Sequence, residues 1–206
     1  MPSLTDLLRV GWIKDCGFIA CFVRQGDRIA ACCPSTARGL HATIRLIGQR
    51  KEYQERFVTM RVAIGANHSG YLVRAMLIEM IGGLGHEVVD RGVSNSHPVD
   101  YPEIAAGVAD LVATGQVDRG ILVGGTGLGM CIAANKVAGV RAVPCHDLMT
   151  AQVSRLHNDS NVLCLSASLL GDQLMRSITQ TWLKTPFEGG RHQNRLDKIA
   201  ELERQR

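Results

Sequence analysis

Residues 119–136 read RGILVGGTGLGMCIAANK and contain the clearest structural signal in the chain. The apolar run over residues 119–124 predicts a buried strand, and the glycines after it predict a tight turn into a helix from residue 128. Glycine lets the backbone approach a ligand closely, while a helix N-terminus offers unpaired N–H groups and the positive end of its dipole. The stretch therefore predicts a strand, a turn and a helix around an anion site.

The glycine pattern alone does not identify the ligand. A strand followed by G-x-G-x-G also suits a tight turn that binds nothing. Lys136 comes too late for the phosphate-binding loop of nucleotide hydrolases, and Asp147, about 20 residues further on, follows the next strand instead of serving a ribose. A nucleotide-dependent oxidoreductase is therefore the least favoured interpretation.

From Met60 onward, apolar strands alternate with amphipathic helices. The predicted strands span residues 61–66, 86–90, 119–124, 140–145 and 161–165. The predicted helices span residues 70–84, 101–114, 128–138, 147–157, 168–183 and 191–204. Such alternation is typical of a parallel sheet covered on both faces. We predict an α/β fold with a doubly wound, five-stranded parallel sheet, arranged as a flavodoxin-like three-layer sandwich.

Residues 1–59 show neither a helical nor a strand period. We expect an N-terminal extension here, either disordered or the product of a misassigned start, and one domain over residues 60–206 with a C-terminal helix. A targeting peptide is the alternative. The arginines favour it, whereas five acidic residues and few serines oppose it.

Composition excludes several functional classes. The net charge of +4 resides in residues 1–59, which hold nine Lys or Arg and five Asp or Glu, so the main body lacks the basic excess of a nucleic-acid-binding domain. No apolar run approaches the roughly 20 residues that span a membrane. Seven cysteines form an odd set without a secretory signal, and their spacing fits no zinc site. We predict a cytoplasmic protein with reduced thiols and no metal.

Six short motifs follow one another in the main body. They are GANHSG (65–70), VDYP (99–102), GTGLGM (125–130), ANK (134–136), HND (157–159) and GGRH (189–192). In this order they resemble the motifs of type B ribose-5-phosphate isomerases and of the related galactose-6-phosphate isomerase subunits. The similarity spans essentially all of residues 60–200.

The resemblance implies an aldose–ketose isomerase that uses neither metal nor cofactor. Its substrate would be a phosphorylated sugar, ribose 5-phosphate and ribulose 5-phosphate or a related tetrose to hexose phosphate. The reaction would open the sugar ring and move a proton through a cis-enediolate. This chemistry needs an acid/base at the ring oxygen, a base over two carbons, oxyanion donors and a phosphate anchor. The resemblance also implies a homodimer with shared active sites, and leaves a tetramer open.

The resemblance assigns the catalytic roles residue by residue. His157 would assist ring opening, since imidazole exchanges protons near neutral pH, although a histidine at a helix C-terminus can also simply complement the dipole. Asn158 would donate to substrate oxygens, and Asp159 would hold the loop through backbone N–H groups. Thr126 would stabilise enediolate charge, or serve as a helix cap. The backbone amides that assist it would come from Gly125, Gly127 and Gly129.

The remaining residues would bind the substrate. Arg191 and Arg195 lie four apart and so share one helix face, where guanidinium groups can grip a phosphate, and in the family they reach into the neighbouring subunit's site. A solvated basic face is the alternative. Asn67 and His68 would contact the sugar phosphate, and Tyr101 would wall the sugar pocket or pack a helix entrance.

Three positions depart from the family pattern. Gly124 and Met130 stand where relatives carry either a cysteine or a glutamate as the proton-transferring base, and Asn67 replaces an aspartate. We expect His146, at the carboxyl end of the fourth strand, to act as the base instead, and Cys131 to be a core residue. A catalytically silent phosphosugar-binding subunit of the same fold remains the alternative.

Overall fold

The computed structural model describes residues 59–93 and 97–205, together with two strands near the N-terminus, Cys21–Gln25 (β1) and Arg28–Cys32 (β2). The chain divides into two compact units, Met1–Tyr53 and Gln54–Arg206. In the first unit, β1 and β2 pair antiparallel. Sequence analysis missed this hairpin, although the Gly-Asp pair at residues 26 and 27 favours one. The prediction of a disordered or misassigned extension otherwise concerns residues outside those described.

The second unit contains alternating strands and helices. Its strands are Arg61–Ala66 (β3), Glu87–Asp90 (β4), Arg119–Gly124 (β5), Ala142–Pro144 (β6) and Val162–Ser166 (β7). Its helices are Tyr71–Gly83 (α1), Tyr101–Ala113 (α2), Leu128–Ala134 (α3), Leu148–Asn158 (α4), Asp172–Lys184 (α5) and Arg191–Arg204 (α6), with a 3-10 turn at His68–Gly70. None of the helices described is both long and apolar enough to cross a bilayer.

The five strands of the second unit form one parallel sheet in the order β4-β3-β5-β7-β6. The predicted doubly wound α/β class is confirmed, and the strand order adds that β6, fourth of the five in the chain, lies at the edge. From β3 the chain adds β4 on one side and β5 on the other. The carboxyl ends of β3 and β5 therefore flank the switch point at which ligands of such sheets bind.

Two apolar cores cover the two faces of the sheet. Along β3, Val62 and Ile64 face the core shared with α1, α4 and α5, where Trp182 is fully buried. Ala63 faces the other core, formed with α2 and α3. This period of two is what a strand buried on both faces produces, and it yields the predicted three layers.

Two helix boundaries differ from the predictions by several residues. Helix α3 ends at Ala134 instead of residue 138, because the Asn135 side chain turns toward β6. There its Oδ1 accepts from the Ala142 N–H at 2.9 Å, and its Nδ2 donates to the Ala142 carbonyl at 2.8 Å. Helix α5 begins at Asp172 instead of residue 168, because the Ser166 hydroxyl accepts the Leu169 N–H and shapes a turn.

Candidate active site

The glycine loop between β5 and α3 lies at the switch point. Gly127 has a φ of 78°, in the left-handed region. A Cβ at this position would lie 3.0 Å from the backbone oxygen of Leu165 on β7. Both the torsion and the close approach therefore require glycine. The loop is thus fixed against β7 by its backbone.

The loop amides face the end of β3. The carbonyl groups of Gly124 and Gly125 accept the N–H groups of Ala167 and Ser168, at 2.8 and 3.0 Å. Since N–H and C=O point in opposite directions across a trans peptide, the amides of Gly125 and Thr126 point away from β7. β3 lies on that side of β5. The loop therefore offers backbone donors to the crevice between β3 and β5.

Polar residues after β3 form the other side of the crevice. Asn67 is nearly buried, and its Oδ1 accepts the Ser69 N–H at 3.2 Å, which caps the 3-10 turn. The Ser69 hydroxyl would lie 3.8 Å from a Cβ on Gly125. His68 is exposed, and its Nδ1 accepts the Val99 N–H at 3.5 Å. The predicted residues Asn67 and His68 thus lie beside the glycine loop.

Thr126 and Tyr101 border the same crevice. Thr126 is exposed, and its hydroxyl accepts the Leu128 N–H at 3.4 Å, but the N-cap of α3 is Gly127, which makes no side-chain cap bond. The Tyr101 ring lies over Gly129, where a Cβ would come within 2.7 Å of Cζ. Gly129 therefore allows the tyrosine to close over the loop. The predicted roles of both residues remain predictions.

Gly124 and Met130, the two positions at which the resemblance implies a base, face one another. A Cβ on Gly124 would lie 3.1 Å from Cγ of Met130, so the two side chains compete for one space. Met130 fills this space and is buried. Cys131 donates its thiol proton to the Ala142 carbonyl at 3.3 Å, toward β6. His146 is exposed after β6, and because β7 separates β6 from β5, it follows a strand about 10 Å from the loop.

A second group of predicted residues lies at the amino ends of the strands, which we call the amino edge of the sheet. Helix α4 starts after the carboxyl end of β6 and returns to the amino end of β7, so His157 and Asn158 in its last turn lie at the amino edge. Helix α6 begins nearby, since the Glu188 N–H donates to the Leu156 carbonyl at 3.1 Å, and this helix carries Arg191. The five residues of β7 separate the two edges by about 16 Å.

His157 is held in a cluster of charged and aromatic groups, which we call the histidine pair with Glu188. Its ring stacks on that of His192, with centroids 4.2 Å apart and planes 5° from parallel. Both Nε2 atoms lie near the Glu188 carboxylate, at 3.8 and 3.7 Å. Arg191 Nε donates to His192 Nε2 at 3.4 Å. Burial and the neighbouring His157 lower the pKa of His192.

Asp159 fixes the end of α4. It adopts a left-handed conformation with a φ of 43°. Its carboxylate pairs with Arg141 and Arg155, each at 2.8 Å. Sequence analysis expected bonds to backbone N–H groups instead; the structure pairs the carboxylate with guanidinium groups. The adjacent His157 and Asn158 thereby occupy a rigid helix end.

Sequence analysis did not single out four polar residues near these two groups. They are Ser69, Ser168, Glu188 and His192. Ser69 lies inside the GANHSG motif and His192 inside the GGRH motif, but the predicted site residues were the asparagine and histidine of the first motif and the arginine of the second. Ser168 was assigned to a helix that begins only at residue 172. Glu188 precedes the last motif by one position, and only the fold brings it near His157.

Comparison with known proteins identifies the family. Residues 62–199 match the family described as ribose/galactose isomerase. The chain belongs to this family. Ribose-5-phosphate isomerase B of Escherichia coli is 44% identical over 146 residues, which cover 71% of this chain and 98% of that protein. D-erythrulose-4-phosphate isomerase of Pectobacterium atrosepticum is 36% identical, over 71% of this chain and 97% of that protein.

A solved structure supports the same conclusion. Ribose-5-phosphate isomerase B of Clostridium thermocellum superposes with a TM-score of 0.70 at 44% identity, covering 71% of this chain and 99% of that one. The chain is therefore a phosphosugar isomerase of the aldose–ketose class, with the flavodoxin-like fold of its relatives.

Proposed function

We propose that the protein interconverts ribose 5-phosphate and ribulose 5-phosphate. The observation that carries the proposal is the glycine loop at the switch point, whose amides face the crevice between β3 and β5. The Escherichia coli relative, named as a ribose-5-phosphate isomerase, supports a five-carbon substrate. The Pectobacterium relative, named for erythrulose 4-phosphate, makes a tetrose phosphate the second candidate.

Within this proposal, the crevice binds the reacting carbons. The amides of Gly125, Gly127 and Gly129 and the Thr126 hydroxyl stabilise the enediolate oxyanion, because donors fixed beforehand need no reorganisation when charge develops. Asn67 and His68 contact the sugar phosphate, and Tyr101 covers the pocket. His146 serves as the base at carbons 1 and 2. Metal and cofactor are not required for these steps.

The other half of the site comes from a second copy of the chain. His157, Asn158, Arg191 and Arg195 belong to elements that meet at the amino edge, about 16 Å from the crevice in the same copy. A homodimer that sets one copy's amino-edge group against the other copy's crevice completes two sites. His157 then moves a proton from the anomeric hydroxyl to the ring oxygen, and the arginines hold the phosphate.

Exposed apolar side chains support this association. Leu72 is 81% exposed, Met149 70%, Leu169 67% and Leu128 51%. All four lie just after strand ends, so they surround the crevice at the carboxyl edge. A cluster of apolar side chains of this kind marks an interaction surface in soluble proteins. The proposed occupant is the second copy, and pairing of dimers into tetramers is left to the measured mass.

A cytoplasmic location is part of the proposal. The three cysteines of the described main body, Cys131, Cys145 and Cys164, are free thiols, as expected in a reducing compartment.

Proton exchange at carbon 2 tests the proposed reaction. Incubating ribose 5-phosphate with the protein in ²H₂O should yield ribulose 5-phosphate with deuterium on carbon 1 and, after the reverse step, ribose 5-phosphate with deuterium on carbon 2, both visible by NMR. Tetrose and hexose phosphates are the comparison substrates, and His157→Ala is the weakly active control. Faster turnover of a tetrose phosphate would replace the substrate assignment. Binding of every sugar without exchange would identify a silent phosphosugar-binding subunit.

A further inference from the structure

The histidine pair with Glu188 has a geometry that the proposed reaction does not by itself explain. His192 is 2% exposed, whereas the His157 side chain is 38% exposed. The two rings are stacked and nearly parallel. Because the two stacked ring planes are parallel and separated, one metal ion cannot lie in the plane of both. The arrangement is therefore that of a stack and not of a metal site.

His192 is placed to stay neutral. Its Nε2 accepts the Nε–H of Arg191, and a protonated nitrogen could not accept that bond. A second positive charge beside a protonated His157 would be repelled across 4.2 Å. Burial and the positive charges of Arg191 and Arg195 further oppose protonation of His192. Only the negative charge of Glu188 favours it. His192 is therefore the neutral ring of the stack, and His157 is the ring nearer to solvent.

We propose that His192 is a positioning residue for the amino-edge half of the site. Its neutral ring fixes the plane of the His157 imidazole, and its Nε2 fixes the Arg191 guanidinium. Glu188 places a carboxylate 3.8 Å from Nε2 of His157 at the same place. This inference rests on the proposed function, since it assigns ring opening to His157 and phosphate binding to Arg191.

Two substitutions separate the two tasks of His192. His192→Phe keeps a flat ring against His157 but cannot accept from Arg191, so KM for ribose 5-phosphate should rise while kcat is kept. His192→Gln keeps an acceptor but removes the stacking ring, so kcat should fall by about tenfold or more, on the scale of lost acid–base catalysis. Equal effects of the two variants on kcat and KM would overturn the assignment.

A tetrose 4-phosphate is the control substrate. Its phosphate occupies the hydroxyl that would close a five-membered ring, so its isomerisation needs no ring opening. For His192→Gln, kcat on ribose 5-phosphate should fall much further than kcat on erythrose 4-phosphate. An equal loss on both sugars would indicate general damage to the fold and would contradict the inference.

Imidazole titration by NMR gives a readout that is independent of turnover. In the intact protein His192 should titrate below the ordinary pKa of histidine, because burial and the neighbouring His157 oppose its charged form. A His192 that titrates at or above that ordinary pKa would overturn its assignment as a neutral ring. If the unmodified protein turns over no pentose phosphate, the proposed function fails, and the titration still decides this inference.

Discussion

At the residue scale, Gly124 and Met130 leave an apolar surface where the family resemblance implies a proton-transferring group. Because a Cβ on Gly124 would lie 3.1 Å from Cγ of Met130, a base at either position would reach the same point over the crevice. The chain fills that space with a thioether. Under the proposed function, proton transfer depends on a group further away, which makes the site a direct target for restoring a base.

Met130→Glu should increase deuterium exchange at carbon 2 of ribose 5-phosphate by about tenfold or more, since a positioned carboxylate contributes at least that much as a general base. Burial raises the pKa of a carboxyl group toward neutrality, which suits this task. Met130→Gln has the same shape without a base and is the matched control. Equal exchange rates in the two variants would show that the proton is already moved efficiently from another position.

Arg191 and Arg195 are the residues for which binding and turnover should separate. Both are exposed on α6 at the amino edge. Replacing either by alanine should raise KM by about tenfold or more with a smaller change in kcat, because each loses a charge-assisted bond to the phosphate. Arg204→Ala removes the same charge from the far end of this helix and should leave steady-state kinetics unchanged. A rise in KM for Arg204→Ala would point to general charge steering instead.

At the element scale, the connection between β5 and α3 depends on one backbone contact. Gly127 and Gly139 have nearly the same positive φ, 78° and 80°. A Cβ on Gly127 would meet the Leu165 backbone, whereas a Cβ on Gly139 would meet nothing within 4 Å. Substitutions at Gly127 and Gly139 therefore distinguish the cost of torsional strain from the cost of a steric clash.

Gly127→Ala should lower the free energy of unfolding by more than Gly139→Ala does. Each variant pays the left-handed cost of about 1 kcal/mol, and only the first also forces β5 and β7 apart. Urea unfolding followed by circular dichroism measures the difference. Equal destabilisation would mean that the loop can move away from β7 freely.

The elements also show what the sequence could and could not predict. Strand and helix alternation predicted the α/β class and located β3 and β5 to the residue, because buried parallel strands are long apolar runs. The position of β6 at the edge depends on pairing between distant segments, which periodicity does not encode. The hairpin in residues 21–32 was missed because its strands are short and lack a clear period.

The candidate site was predicted in its residues but not in its layout. The motifs around Gly127 and His157 drew attention to the right segments. The resemblance gave each residue a role and placed Arg191 and Arg195 in the neighbouring subunit's site, but it did not group His157 and Asn158 with them. The order of α4 before β7 already implied that these two residues lie at the amino edge, since a helix that returns between parallel strands ends there.

At the scale of the whole molecule, the two separated groups predict that mixed dimers recover activity. Thr126→Ala and His157→Ala impair opposite halves of the composite site. Each should be weakly active alone. After joint refolding, about a quarter of full activity should return, because half of randomly paired dimers are mixed and each of these has one intact site.

Two controls make this experiment decisive. Joint refolding of His157→Ala with Arg191→Ala combines two lesions in the same half, so each mixed dimer has no intact site. Activity at substrate concentrations well below KM should therefore stay low. Sedimentation of the unmodified protein should give the mass of a dimer or of a tetramer. A fully active monomer would refute the shared site.

The hydrogen bonds between Asn135 and Ala142 have a consequence for aggregation of the protein in a crowded cell. The carboxamide satisfies both outward peptide groups of Ala142, and Pro144, the last residue of that edge strand, has no N–H to offer. The free side of β6 therefore does not offer an incoming strand the backbone groups that cross-β pairing needs. The strand resists fibril formation in this way, without relying on a charged side chain.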